Sequence, residues 1–159
     1  LLVFRLGPQA YALPLAEVRE VIPLAALYAP PLMPALLAGF LNLGGTAVPV
    51  VRLDRLFDLP EPPPPGRYTP LLLLRAHEGS LALLVERIDS IVKLADADVL
   101  PVAPEQAFND CVTGVATVDA HVVLILSSER LLLEKEQQYL AEVQDREQAR
   151  LRAVEVNGT

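Results

Sequence analysis

The sequence is short of the residues on which several function classes depend. It has one cysteine, Cys111, so an internal disulfide is excluded, and that fits a reducing compartment. It has no Trp, and aromatic residues make up only 5% of the chain, so the core has to come from Leu, Val, Ala and Ile. Lysine is nearly missing. Lys93 and Lys135 are the only two, the arginines are scattered, and the formal net charge is −7. A surface that tracks phosphates needs a basic stripe, and none is present, so nucleic acid is not an expected partner. The one long uncharged apolar run, residues 21–41, is interrupted by Pro23, Pro30, Pro31 and Pro34, so no transmembrane helix and no direct membrane insertion is expected. Residues 1–6 are too short and lack the basic flank of a signal peptide.

What is present is a hydrophobic chain of 159 residues, 52% apolar, long enough for one domain with a sizeable core. It is organised around residues 39–57, which read as a strand, a glycine turn at Gly44-Gly45, a second strand from Thr46 to Arg52 and a short helix from about Leu53. Residues 114–131 repeat this grammar without a gap. Gly39 aligns with Gly114, Val48 with Val123, Arg55 with Arg130 and Leu56 with Leu131. Such a pattern occurring twice indicates an internal duplication.

The remaining segments follow the same repeat. Residues 1–6 and Ala10–Pro14 read as a hairpin, Leu15–Arg19 as a helical turn and Glu20-Val21-Ile22 as a short strand. Their echoes are Leu71–Arg75 and Leu81–Val85, with Glu78-Gly79 as the turn, and then Ile88 and Ile91 in place of Val18 and Val21. Proline cannot donate to a ladder or a helix interior, so residues 23–38 read as a loop with an apolar underside. Pro101 and Pro104 echo Pro31 and Pro34 of that loop. The run from Pro60 to Gly66 reads as a stiff polyproline spacer between two lobes. The expected organisation is a first lobe over 1–57, a proline-rich connection over 58–70, a second lobe over 71–127 and a C-terminal helix over 128–155. Each lobe is expected to be a meander of about five short strands curled into a small barrel. Ser127 or Ser128 is the expected N-cap of the helix. Its apolar stripe thins beyond Leu140, so its distal part is expected to be solvated or frayed.

No catalytic constellation emerges. His77 and His121 fall at predicted turns, each without a second His, a Cys or a spaced carboxylate, so neither metal nor cofactor is expected. Cys111 reads as a small core residue. Ser127-Ser128 has no G-x-S-x-G elbow around it, and Gly44-Gly45 lacks the rest of a phosphate-binding loop. Asp54, Asp58, Glu86 and Asp89 read as solvated partners of nearby arginines. What remains are strand edges, an apolar proline loop and a seam between lobes, and those features bind proteins.

Over residues 1–133 the chain resembles the CheW-like family of bacterial chemosensory adaptors. Phe4-x-Leu6-Gly7 with Tyr11-Ala12-Leu13-Pro14 is similar to the family's opening hairpin, and Val18-x-Glu20-Val21 to its V-x-E-[VI] element. The most specific match is Gly39-Phe40-Leu41-Asn42-Leu43-Gly44-Gly45-x-x-Val48-Pro49-Val50-Val51-x-Leu53, which resembles G-x-x-N-x-R-G-x-x-[VI]-P-[VI]-x-[DN]-L. Leu83-x-Val85-Glu86-x-Ile88 resembles the second-lobe G-x-x-V-D-x-V. Gly44 stands where the family usually has arginine, Glu86 where it has Asp, and Ser127 where it has Asp or Asn.

The resemblance implies a mainly β fold of two five-stranded SH3-like barrels in tandem, with a groove between them, short helical turns and the C-terminal helix. It also implies a cytoplasmic, non-catalytic adaptor without a cofactor. The implied partners are the regulatory domain of a chemotaxis histidine kinase and the cytoplasmic tip of a methyl-accepting chemoreceptor. Carried over position by position, the protein-binding residues are Glu20, Val21, Gly39, Asn42, Gly44, Val85 and Ile88. The first residue is Leu rather than Met, so a second reading is a CheW-like module of a larger kinase or of a receiver-fused adaptor. A third is a small-molecule-binding double barrel.

Overall fold

The computed structural model describes residues 1–159 except 25, 26, 32, 61–65, 67, 76–80, 103–110, 133, 158 and 159. Strands β1 (Leu2–Leu6) and β2 (Gln9–Leu13) form the first hairpin, and a 3-10 turn over Leu15–Glu17 leads into β3 (Val18–Pro23). Strands β4 (Leu37–Leu43) and β5 (Thr46–Arg52) form the second hairpin, followed by the short helix α1 (Leu53–Leu56). The chain continues through β6 (Pro70–Leu74), β7 (Ala82–Leu84), β8 (Arg87–Ile91) and the two-residue β9 (Leu100–Pro101). Strands β10 (Val112–Val118) and β11 (His121–Leu126) form the last hairpin, and helix α2 spans Glu134–Asn157.

The duplicated hairpins have the same path. Gly44 and Gly45 have φ of 59° and 89°, and Asp119 and Ala120 have φ of 50° and 65°. Two successive positive φ values give the turn whose twist matches paired antiparallel strands. Each hairpin carries a register shift at the same place, between Leu37 and Gly39 and between Val112 and Gly114. Val48, Val123, Leu56 and Leu131 are all buried. After the second hairpin, the counterpart of α1 is a 3-10 turn over Ser128–Arg130.

The two sheets do not divide the chain into the expected lobes. The five-stranded sheet has the order β3-β6-β7-β5-β4, and the six-stranded sheet β8-β1-β2-β11-β10-β9. Each repeat therefore lends its opening hairpin to the other. The β1–β2 hairpin pairs antiparallel with β8 and parallel with β11, and β6–β7 pairs antiparallel with β3 and parallel with β5. The split at 1–57 and 71–127 is corrected accordingly: the repeats are contiguous in sequence and the barrels are not. Both barrels close in the same manner. Beyond β3, the Leu24 amide donates to the Thr69 carbonyl and Tyr28 bridges to Phe40 of β4. Beyond β8, the Val92 amide donates to the Leu1 carbonyl, and β9 pairs with β10.

Alternation along the strands explains the solid apolar runs. Leu71 and Leu73 fill the five-stranded barrel with Val48 and Val50, while Leu72 and Leu74 face the shared seam with Phe4, Leu13 and Leu126. Val3, Ala12, Val123 and Ile125 fill the other barrel. Successive side chains point to opposite faces, so a strand buried on both faces loses its polar positions. Each fully buried leucine contributes about 1.5–3 kcal/mol, which makes the seam the largest apolar reservoir of the molecule.

The C-terminal helix departs from expectation in two respects. It starts at Glu134 rather than at the serines, and Ser127 makes no side-chain cap. Ser128 is instead buried, with its amide and its hydroxyl donating to Glu17 Oε1 at 2.9 and 2.5 Å. The distal part is docked. Leu140 and Val143 join the seam cluster and Leu151 packs on it. Three elements of the sequence reading lie outside the described residues: the polyproline run at 61–65, His77 with the Glu78-Gly79 turn, and Pro104.

Candidate functional site

The seven carried-over residues fall in three places. Gly39, Asn42 and Gly44 belong to the β4–β5 hairpin. Asn42 Oδ1 accepts from the Gly45 amide at 2.9 Å and so braces the turn. Gly44 is exposed, and a Cβ built on it meets nothing within 4 Å. Gly39 is buried. A Cβ there would lie 3.0 Å from both Leu27 Cβ and the Tyr28 carbonyl oxygen, so the missing side chain lets the proline loop lie against β4. Glu20 and Val21 are exposed on β3, which pairs only with β6 within its sheet. Val85 and Ile88 flank the crossover from β7 to β8. Val85 is 1% exposed and offers a partner no surface as it stands, while Ile88 is half-buried against the seam and opposite Phe4.

Charged groups around these places are paired more tightly than solvated side chains. Asp54 is only 7% exposed and is held by Arg52 at 2.8 Å, so the expectation of a solvated pair is corrected there. Asp89 lies between Arg5 at 2.6 Å and Arg87 at 3.2 Å. Glu86 accepts from the Gly7 amide at 2.7 Å, which ties the β1–β2 turn to the β7–β8 crossover.

Sequence reasoning missed a polar cluster between the proline loop and α2. Glu147, on the helix, is buried and paired with Arg150 at 3.0 Å. The Tyr28 ring stacks on Phe40 with centroids 5.8 Å apart. Its hydroxyl is buried without a hydrogen-bond partner among the described residues. Burial raises the Tyr28 phenol above its ordinary 10.0, the Glu147 carboxylate adds to that, and Arg150 opposes it. An open cleft of about 380 Å³ is lined by Tyr28, Pro30, Pro31, Glu147, Arg150 and Leu151. Two helix glutamines complete the contact. Gln144 Nε2 donates to the Ala47 carbonyl at 3.0 Å. Gln148 Nε2 donates to the Gly45 carbonyl at 2.8 Å, and its Oε1 accepts from the Ala47 amide at 2.9 Å. The spacing of Gln144 and Gln148 puts both on one helix face, but hydropathy reads that face as polar.

Among the described residues, no group of three or more His, Cys, Asp and Glu is placed to hold a metal ion. No helix among them is long and apolar enough to cross a membrane.

Comparison with known proteins agrees with this geometry. The family model described as "CheW-like domain" matches residues 1–136. The chain is 24% identical over 139 residues to a probable chemotaxis protein CheW of Rhizobium etli, covering 86% of this chain and 88% of that protein. It is 24% identical over 148 residues to the chemotaxis protein CheW of Treponema pallidum, covering 89% and 86%. The crystal structure of the scaffolding protein TtCheW from Thermoanaerobacter tengcongensis superposes with a TM-score of 0.74 at 21% identity, covering 83% of this chain and 86% of that one. With two sheets that exchange hairpins, a glycine-turn unit present twice and a family match over most of its length, this chain belongs to the CheW-like domain family.

Proposed function

We propose that the protein is a non-catalytic adaptor that couples chemoreceptors to a chemotaxis-type histidine kinase in the cytoplasm. The observation that carries this reading is the match of the whole double barrel to CheW-like domains, together with the strand–turn signature from Gly39 to Leu53. The similar proteins are named as chemotaxis and scaffolding proteins. Among the described residues β3 and β9 are sheet-end strands, and they carry the exposed apolar residues Val21 and Leu100, which suit pairing with another small barrel.

The partner-contacting residues in this reading are Glu20, Val21, Asn42 and Gly44, with Ile88 at the margin. Gly39 and Val85 serve from inside, one by admitting the proline loop and the other by filling the crossover. The partner is the kinase regulatory domain on one surface and a helical chemoreceptor tip on another. Titrating the protein with the cognate kinase regulatory domain is expected to give a complex in the micromolar range. No complex at about 100 micromolar would remove the adaptor reading. The Gly44→Arg variant sharpens the receptor side. An arginine at φ 59° carries about 1 kcal/mol of backbone strain and has open space around it. It is expected to tighten binding to a chemoreceptor fragment at low salt, with the gain fading as salt screens the new charge. A folded variant with unchanged affinity at every salt concentration would take Gly44 out of the receptor surface.

A further inference from the structure

Ala47 on β5 and Val122 on β11 hold the same place in the two duplicated hairpins, opposite Asn42 and Thr117 respectively. Val122 is 54% exposed, and a single glutamine, Gln9, donates to its carbonyl at 2.9 Å. Ala47 is 0% exposed and lies beneath α2. The second repeat holds this strand without a helix over it, so the fold does not require the cover on the first. The family match ends at residue 136, near the start of α2.

The cover fits incompletely. Along its inner face α2 places Leu140 and Val143 in the core, but then Gln144, Glu147 and Gln148, with Leu151 only half-buried. The Tyr28 hydroxyl beneath it has no hydrogen-bond partner among the described residues, and the cleft beside the proline loop is left open. A helix held by two amides and a thin apolar stripe is suited to exchange.

We propose that the free side of the start of β5, from the turn residue Gly45 to Ala47 and short of Val50 where pairing with β7 begins, forms with the proline loop at Tyr28–Pro31 a helix-accepting surface. Helix α2 fills it in cis. In trans it takes an amphipathic helix of a partner protein that carries two side-chain amides four residues apart beside an apolar stripe. The amides are specified by what the edge offers: the Ala47 amide and the Gly45 and Ala47 carbonyls, which only a group with both donor and acceptor can serve together. This inference is independent of which proteins the adaptor couples.

The test uses the full chain and a labelled synthetic peptide of residues 134–157 as the probe. In the Gln144→Glu, Gln148→Glu variant, carboxylates face the Gly45 and Ala47 carbonyls, so the cis helix is repelled while the surface is untouched. The wild-type peptide is expected to bind this variant at least tenfold more tightly than it binds the wild-type chain, and a peptide carrying the same two glutamates is expected not to bind. Equal binding to both chains, or none to a folded variant, would overturn the proposal. A peptide with Asp145→Pro cannot form the helix. If it bound as well as the wild-type peptide, the edge would be taking an extended strand instead, and the helix assignment would fall. Hydrogen exchange on the unmodified chain gives a second readout that needs no variant. The amides of Leu140–Leu151 are expected to exchange at least tenfold faster than those of β4 and β5, and equal protection would contradict a displaceable helix.

Discussion

The β4–β5 and β10–β11 hairpins share a register, a bulge and a turn geometry, yet they share few side chains. One turns through Gly44-Gly45 and the other through Asp119-Ala120, at closely similar φ. Both keep a glycine just after the bulge. A Cβ on Gly114 would lie 2.7 Å from Val99 Cγ1 and 3.2 Å from the Leu100 carbonyl oxygen, as one on Gly39 would press on Leu27 and Tyr28. The comparison separates what the fold requires from what it tolerates. Close approach of the barrel-closing segment to the strand after the bulge is required in both copies. The identity of the turn residues and the presence of a helix over the strand edge vary between them.

The largest effects are expected where the copies agree most closely. Leu56 and Leu131 are buried in the same seam cluster from equivalent positions. Leu56→Ala and Leu131→Ala should each cost about 2–5 kcal/mol in denaturant unfolding. A loss for one well below 1 kcal/mol, with the other in that range, would break the equivalence. The glycines come next. Gly39→Ala adds a methyl at φ 153° against a backbone oxygen, while Gly114→Ala meets first the tip of a valine. Both should lose stability, roughly 1–3 kcal/mol, with Gly39→Ala the worse of the two. The reverse order would show that the Val99 contact is the stiffer one.

The smallest effect is expected where the copies differ. Tyr28 faces Phe40 beneath α2, and its counterpart Leu100, opposite Val115, is exposed. Tyr28→Phe removes a buried hydroxyl without a hydrogen-bond partner among the described residues, so the change should be neutral or stabilising by up to about 1 kcal/mol. It also bears on alkaline stability. The Tyr28 phenol is raised in the folded state, so above pH 10 the unfolded chain releases its proton first and stability falls until the folded-state value is passed. Tyr11, raised mainly by burial and further by Cys111, acts in the same sense. Tyr28→Phe should therefore flatten the alkaline decline without abolishing it. An unchanged decline would place the hydroxyl in solvent.

The sequence reading reached the strands, the turns and the duplication because alternation, glycine placement and proline exclusion act locally. It could not reach the exchange of hairpins. Ala12 pairs with Ile125, and its echo Ala82 pairs with Val50. Pairing within each repeat would set nearly the same residue types side by side, so no pattern in the chain separates the two arrangements. At the site, the bracing role of Asn42 and the close approach of the proline loop at Gly39 follow from residue type. The burial of Val85 and the docking of α2 do not. A strand buried on both faces hides which side a valine faces, and glutamines that serve a strand edge read as solvent-facing.

The exchanged hairpins are tested most directly by separating the repeats. A protease site placed within residues 61–65 would cut the chain between α1 and β6, leaving β1–β5 with α1 on one piece and β6–β11 with α2 on the other. Because each barrel needs a hairpin from both pieces, the isolated N-terminal piece should show no cooperative unfolding transition, and mixing the two pieces should restore one. A cooperative transition from the N-terminal piece alone would mean that residues 1–57 fold as a self-contained barrel, and the exchanged arrangement would be wrong.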